Sequence, residues 1–445
     1  MLEFINDNII SVLTPILLLV SGLYFSFKLN LFYVRHPIKM IRSMLSKPKN
    51  GGISPFRAVT LALAGTLGVG NIAGVASSIA IGGFGSVFWM WVSAAVAMVL
   101  KYAEIVLAIR HRRREGDEYR GGASYYILDF FASKGKGAFG KVLGGVFALL
   151  CIVNAVTMGC VIQSNAISTS FEGVTGLPTW IIGAILAILC AIVISGNAKW
   201  VSAFSEKTVP IMTVGYVLLS LAVIAARLEL LGDALAAIFK DAFAFDSAAG
   251  GIIGFAISRG MRAGCMRGLM SNEAGCGTAP TAHAAAECDL PAAQGFWGIF
   301  EVFVDTILLC TLTALVIIVS VLGGGDAMAF SSDPMMMAIK AFSSVLGGWS
   351  EYYMVVSVLL FAFATIVCWA HYGKESVTFV TKRRAPVGMY VILYSLFVFV
   401  GALTAPKSAW LAADLALGVM TIINLVILFL MRREIKQETD RFFKF

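Results

Sequence analysis

Charge is scarce in this sequence. Asp, Glu, Lys and Arg make up 13% of its 445 residues, about half the ~25% usual in soluble domains. Hydrophobic residues make up 59%, and the mean hydropathy is +0.85. That balance excludes a soluble enzyme, a disordered scaffold and a nucleic-acid-binding domain. Histidine is scarce too, and four residues give metal clustering little to work with. There is no HExxH, no phosphate-binding P-loop and no GxSxG, so metalloprotease, nucleotide-driven pump and serine-hydrolase signatures are all missing. Eight cysteines include no CxxC pair. Cys151, Cys160, Cys190, Cys265, Cys276, Cys288, Cys310 and Cys368 lie in or beside apolar runs and read as small polarizable packing residues. A cleavable signal would begin with a basic region, whereas Glu3 and Asp7 precede the first apolar run.

Long apolar runs are abundant. They do not alternate with polar residues, which speaks against a membrane β-barrel and for an all-α polytopic membrane protein. Eleven segments are expected, at about 9–27, 55–79, 86–109, 142–166, 179–195, 209–226, 250–279, 295–320, 352–372, 386–404 and 410–431. Lys and Arg number seven in 28–57, eight in 110–141, two in 196–207, four in 374–384 and five in 432–445, all on one side of an eleven-helix arrangement. The opposite loops carry four: Arg227, Lys240, Lys340 and Lys407. This split of 26 to 4 places the C-terminus in the cytoplasm and the N-terminus outside, in a plasma (bacterial inner) membrane. The net charge of +8 is therefore a topology signal rather than the mark of an anionic partner. Trp89, Trp91, Trp180, Trp200, Trp297, Trp349 and Trp410 fall near segment ends, as an interfacial belt requires; Trp369 does not. Residues 28–50 and 121–137 read as cytoplasmic interfacial helices, and 228–247 and 334–346 as short helices on the outer face.

Two segments carry unusual glycine clusters. The second holds Gly65, Gly68, Gly70 and Gly74 within ten residues, poor material for a continuous helix. The seventh, about 30 residues long, holds Gly260, Gly264, Gly268, Gly275 and Gly277 among Arg259, Arg262, Arg267 and Glu273. Each cluster opens a set of five segments, and because five is odd the two sets cross the membrane in opposite senses. Gly-interrupted helices at matching positions of inverted halves point to a transport site. Unwinding frees backbone N–H and C=O groups, which lipid cannot satisfy but a carboxylate and a cation can. The competing reading is close helix packing through the GxxxG pairs Gly70/Gly74 and Gly260/Gly264/Gly268. The chain then divides into an N-terminal helix with its interfacial helix (1–54), a first five-helix repeat (55–248), a second inverted repeat (249–431) and a basic tail (432–445).

Other charges at membrane depth invite structural explanations. Glu301 and Asp305 are spaced i,i+4 on one face, suited to pairing with Arg of the seventh segment or lining the inner vestibule, with a proton relay as the alternative. Glu104 reads as snorkelling or paired. His283 and His371 are expected near the cytoplasmic face.

At the glycine clusters the sequence resembles the alanine or glycine:cation symporter family. Gly65-Thr66-Leu67-Gly68-Val69-Gly70-Asn71-Ile72-Ala73-Gly74-Val75 is similar to the family signature. Arg267-Gly268-Leu269-Met270-Ser271-Asn272-Glu273-Ala274-Gly275-Cys276-Gly277 resembles its RG-x-x-SNEAG-x-G run, with Met270 where Phe is usual. Gln163-Ser164-Asn165 resembles Q-x-N, and Phe361 to Trp369 resembles FAFST-I-x-G-W. The resemblance implies a leucine-transporter-type core of five plus five inverted helices behind one extra helix, and import of a small neutral amino acid, alanine or glycine, with Na⁺; some relatives prefer glutamine. It implies a substrate site at Thr66, Gly68, Val69, Gly70 and Asn71. The amides of Val69 and Gly70 would bind the carboxylate beside Asn71 and Gln163. Carbonyls near Thr66, an unwound stretch at Gly264, Cys265 and Met266, and the Thr365 hydroxyl would meet the ammonium, and Trp369 would close the pocket. The ion would meet the carbonyls of Ala64, Leu67 and Phe361 and the Thr365 hydroxyl. Two departures stand out. Ala364 replaces the usual Ser and removes one candidate ion ligand, and Cys368 and His371 replace the usual Gly and Tyr around Trp369. No covalent cofactor and no nucleic acid partner is implied. A proton-coupled carrier on the same fold is the rival; an intramembrane enzyme or a channel fits less well.

Overall fold

The computed structural model describes residues 2–44, 53–116, 118–196, 198–244 and 259–443. The chain starts with α1 (Leu2–Lys28) and α2 (Pro37–Met44), followed by α3 (Pro55–Thr66), α4 (Ala73–Gly82) and α5 (Ser86–Arg110). An antiparallel hairpin of β1 (Arg113–Glu115) and β2 (Glu118–Arg120) leads to α6 (Ala123–Ser133) and the 39-residue α7 (Gly137–Thr175). Then come α8 (Thr179–Ile194), α9 (Ala198–Ala226) and α10 (Leu231–Ala242). The second half holds α11 (Arg259–Asn272), α12 (Pro280–Ala284), α13 (Pro291–Leu322), α14 (Pro334–Leu346), α15 (Trp349–Val380), α16 (Arg384–Leu403), α17 (Lys407–Leu430) and α18 (Arg432–Phe443).

Among the described residues, eight helices are long and apolar enough to cross a membrane: α1, α5, α7, α9, α13, α15, α16 and α17. The second and seventh expected segments are instead helix pairs, α3/α4 and α11/α12, each divided by an irregular stretch; residues 250–258 of the seventh lie outside the described residues. Prolines mark helix starts, where a missing N–H costs nothing: Pro55, Pro280, Pro291 and Pro334 all sit in the first turn. Ser54 caps α3 by accepting from Arg57 N at 3.2 Å.

The surface stretches follow the charge pattern, with one addition. Residues 37–44 are helical and expose Ile38 and Ile41, and residues 45–50 lie outside the description. The stretch 121–137 is mostly α6, preceded by a hairpin that the charge pattern did not foreshadow. The hairpin sets Arg113 opposite Arg120 and Glu115 opposite Glu118, and Arg120 reaches Glu115 at 3.5 Å.

The core lies around α5, buried along almost its whole length between α13 and α11. α16 instead exposes Ile392, Leu393 and Leu396, a lipid-facing surface. Three spans contain π-helical turns: α1 at Asn6–Ile10, α7 at Thr157–Val161 and α13 at Phe303–Cys310. Such turns often mark functional positions; those of α7 and α13 lie just before Gln163 and around Asp305.

Candidate functional site

α3 stops at Thr66 because the backbone amides ahead of it find other partners. Gly68 N donates to Thr66 O (2.9 Å) and Asn71 Oδ1 (3.0 Å), and Asn71 N donates to Gly68 O at 3.2 Å. The carbonyls of Ala64 and Leu67 thereby lose the i+4 amides a helix would supply. Both turn toward Thr365 of α15, whose Oγ1 lies 3.0 Å from Ala64 O, 3.3 Å from Leu67 O and 3.1 Å from Phe361 O. One hydroxyl proton faces three carbonyls, so four oxygens converge at a fully buried point, a hard-ligand set suited to an alkali cation.

The short turn Val69–Asn71 then restarts the chain toward α4. Gln163 accepts from Val69 N at 3.0 Å and donates to Met158 O, inside the π turn, at 3.1 Å. The amide assigned to the substrate carboxylate is thus held by an amide oxygen that a carboxylate could replace. Gly68 fits because it has no side chain: a Cβ there would come within 2.5 Å of Thr365 Oγ1 and 2.9 Å of Gln163 Oε1. Thr66, Gly68, Val69, Gly70, Asn71, Gln163 and Thr365 are therefore brought together.

Gly264, Cys265 and Met266 are not unwound. α11 runs through them to Asn272, and the irregular stretch follows at Glu273–Ala279. Glycines spaced by four serve here as a packing seam. A Cβ on Gly264 would meet Ser86 O and Trp89 Cβ of α5, one on Gly260 would meet Gly82 O, and one on Gly268 would meet Ser93 Oγ. Cys265 packs with Trp89 and Met261. What breaks the helix is handedness: Glu273, Gly275 and Gly277 have φ of +54°, +94° and +80°, three left-handed residues in five.

Glu273 is the site residue that the expectations missed. Its Oε1 accepts from Trp369 Nε1 at 3.0 Å and its Oε2 from Thr278 Oγ1 at 2.6 Å, so the second break positions the indole. On its other side Trp369 lies against Gly159, where a Cβ would collide with the indole Cβ and Cγ. Its sequence signals were an acidic residue between two glycines of the second cluster and its place in the run Ser271-Asn272-Glu273-Ala274-Gly275. Cys368 donates to Leu61 O at 3.0 Å, and Tyr372 packs edge-on against Trp369 at 5.4 Å.

The buried carboxylates also find partners other than those expected. Glu301 pairs with Lys101 (3.1 Å) and His283 (3.0 Å), not with an arginine of α11. Lys101 also caps the end of α11 by donating to Asn272 O at 2.7 Å. Asp305 accepts from Asn71 (2.7 Å), Ser271 (2.8 Å) and Thr306 (2.7 Å), tying the two broken helices together. Glu104 is fully buried rather than snorkelling and accepts from Gly277 N at 2.9 Å. His283 is likewise fully buried, and His371 is 6% exposed.

A cavity of about 680 Å³ leads to this centre. Val69, Ile162, Asn165 and Arg267 line it, as do Ser332 and Pro406 from the loops before α14 and α17 and Pro334 at the start of α14. Such a volume suits a small ligand.

The sodium:alanine symporter family matches this chain over residues 1–445. The chain belongs to that family. It is 36% identical over 412 residues to the amino-acid carrier protein AlsT of Bacillus subtilis (strain 168), covering 92% of this chain and 85% of that one. It is 33% identical to the sodium/alanine symporter AgcS of Methanococcus maripaludis (96% and 93% covered) and 34% identical to the probable sodium/glutamine symporter GlnT of Bacillus subtilis (96% and 87% covered). Among solved structures, an Eremococcus coleocola manganese transporter mutant aligns with a TM-score of 0.53 at 12% identity, covering 84% of this chain and 76% of that one; this is a likeness of fold. The family member is thus an integral membrane transporter and not an enzyme.

Proposed function

We propose that this symporter imports a small neutral amino acid, alanine or glycine, together with Na⁺ by alternating access. The observation that carries the reading is the four-oxygen cluster of Ala64, Leu67, Phe361 and Thr365 beside the broken turn Val69–Asn71. The cluster takes the ion. The amides of Val69 and Gly70 take the carboxylate by charge-assisted hydrogen bonds, Gln163 yielding the first of them, and Trp369 limits the side chain to a small one. Helix pairs α3/α4 and α11/α12, together with the shorter apolar α8, bring the eight long spans to eleven crossings, α1 followed by two inverted sets of five in a leucine-transporter-type arrangement. The basic loops orient the N-terminus outside, so the cavity opens outward.

Uptake of labelled alanine into proteoliposomes, with and without a Na⁺ gradient and against a panel of unlabelled amino acids, tests this. Alanine and glycine should compete, alanine methyl ester should not, and uptake should follow Na⁺. Uptake that ignores Na⁺ and follows a pH gradient would give the mechanism to proton coupling, and competition by glutamine alone would move the substrate.

A further inference from the structure

The cavity contains a charged group that the central site does not use. Arg267 lies on it with its side chain 15% exposed, and so does Trp410. The guanidinium stands over the Trp410 ring at 4.8 Å. Its contact with Asp414 is single and long, Nη1 to Oδ1 at 3.4 Å, where a charge-assisted pair normally closes to ~2.8 Å and arginine often binds a carboxylate through two N–H groups. The same nitrogen lies 3.3 Å from Met270 Sδ. Of the other charges on the cavity, Glu172 is exposed, Asp333 is engaged as the cap of α14, and Lys407 reaches Glu3 at 3.6 Å. Arg267 is therefore a stacked, half-engaged guanidinium facing an open, water-accessible volume.

Its position relative to the centre is fixed by the helix. A Cβ on Gly70 would lie 3.3 Å from Ser271 Cα, and Arg267 precedes Ser271 by one turn of α11, roughly 6 Å along the axis. The Arg267 backbone thus sits one turn from the Gly70 break, and its side chain lies on the same cavity as Val69.

We infer that Arg267, Trp410 and Asp414 form an outer station that binds an α-amino acid zwitterion before it reaches the central site. The ligand carboxylate takes the two-pronged face of the guanidinium, the ammonium takes the Asp414 carboxylate, and each charge of the ligand replaces one half of the long Arg267–Asp414 contact. Trp410 holds the guanidinium plane, a role that lysine cannot fill. The station selects for both charges and not for side-chain size, whereas Trp369 at the centre selects for size. This inference rests on the amino-acid reading of the central site.

The test is equilibrium binding of labelled alanine to the purified full-length protein in Na⁺, combined with uptake kinetics. Gly68→Val fills the centre and should abolish uptake while leaving a weaker saturable binding component; Gly68→Val with Arg267→Gln should remove that component. Arg267→Gln alone should raise the half-saturating alanine concentration for uptake about tenfold, the scale of a lost charged hydrogen bond. Its Na⁺-dependent thermal stabilisation should stay at the parent value, which a merely structural arginine would not allow. Arg267→Lys should recover only part of the loss. Residual binding that persists without Arg267, or is missing from Gly68→Val, overturns the station. If Gly68→Val does not fold, an unchanged half-saturating concentration in Arg267→Gln overturns it alone. A parent protein that takes up no zwitterionic amino acid on a Na⁺ gradient instead strikes the central-site reading.

Discussion

Both broken helices are rich in glycine, yet the glycines do different physical work. In the first break no residue is left-handed: Leu67 and Gly68 have φ of −77° and −134°, and Ile72 has −110°. Gly68 is needed for space, because Thr365 and Gln163 occupy the volume where a side chain would stand. In the second break the need at Gly275 is handedness, while Gly277 is both left-handed and crowded, a Cβ there standing 2.9 Å from Phe147 and 3.0 Å from Ala123. The nearest atoms to a Cβ on Gly275 are 3.6 to 3.8 Å away, ordinary contact, but its φ is +94°. The first break is therefore a crowded point where other helices reach in to the backbone, and the second is a left-handed turn, crowded by other helices only at Gly277, that carries Glu273 toward Trp369. A glycine count cannot separate the two cases; the neighbours and the dihedral angles do.

The contrast breaks most sharply at Gly68. Gly68→Ala should abolish uptake while the protein still reaches the membrane, since the added methyl displaces the hydroxyl and amide that define the centre. Normal uptake by this variant would show the first break to be roomier than its contacts imply. Thr365→Ala comes next. Deleting the hydroxyl leaves the Ala64, Leu67 and Phe361 carbonyls facing one another, and Na⁺-driven uptake should fall more than tenfold; intact Na⁺ dependence would place the ion elsewhere.

Gly275→Ala probes the second break and should act on stability instead. A left-handed alanine costs about 1–2 kcal/mol, read as a lower thermal unfolding temperature, with residual uptake clearly above that of Gly68→Ala. If Gly275→Ala silenced transport without destabilising the protein, the second break would be a binding element in its own right. The smallest effect is expected from Ala364→Ser. Ala364 is fully buried next to Thr365, and a hydroxyl there adds one oxygen near the cluster. The half-saturating Na⁺ concentration should drop about fivefold, the equivalent of one net hydrogen bond of about 1 kcal/mol. No change would mean that the Ala364 side chain points away from the ion.

Much of the centre was legible because it is written in backbone-breaking residues and short motifs. Gly68, Val69 and Asn71, Gln163, and Phe361 with Thr365 lie in four separate segments, and the structure gathers them around one turn. The misplacement of Gly264, Cys265 and Met266 has a plain cause. Glycine favours both close packing and irregular backbone, and only the position of α5, with Ser86 and Trp89 against Gly264, chooses packing. For Glu301 the sequence left pairing with an arginine of the seventh segment, the inner vestibule and a proton relay open, because i,i+4 spacing shows that two carboxylates share a face, but not that Lys101 and His283 occupy the space opposite.

The sequence by itself determined that this chain lives in a bilayer, where its spans lie, which loops carry the basic charge and which two segments resist being continuous helices. These follow from the transfer of residues out of water and from local backbone preference, both of which act within one segment. Only the tertiary structure decided that Thr365 meets Ala64 and Leu67, that Glu273 holds Trp369, that Asp305 links Asn71 to Ser271 and that Arg267 faces the cavity. Those contacts join residues up to 301 positions apart, and their geometry is set by which helices pack together, a property of the whole bundle and not of any one segment.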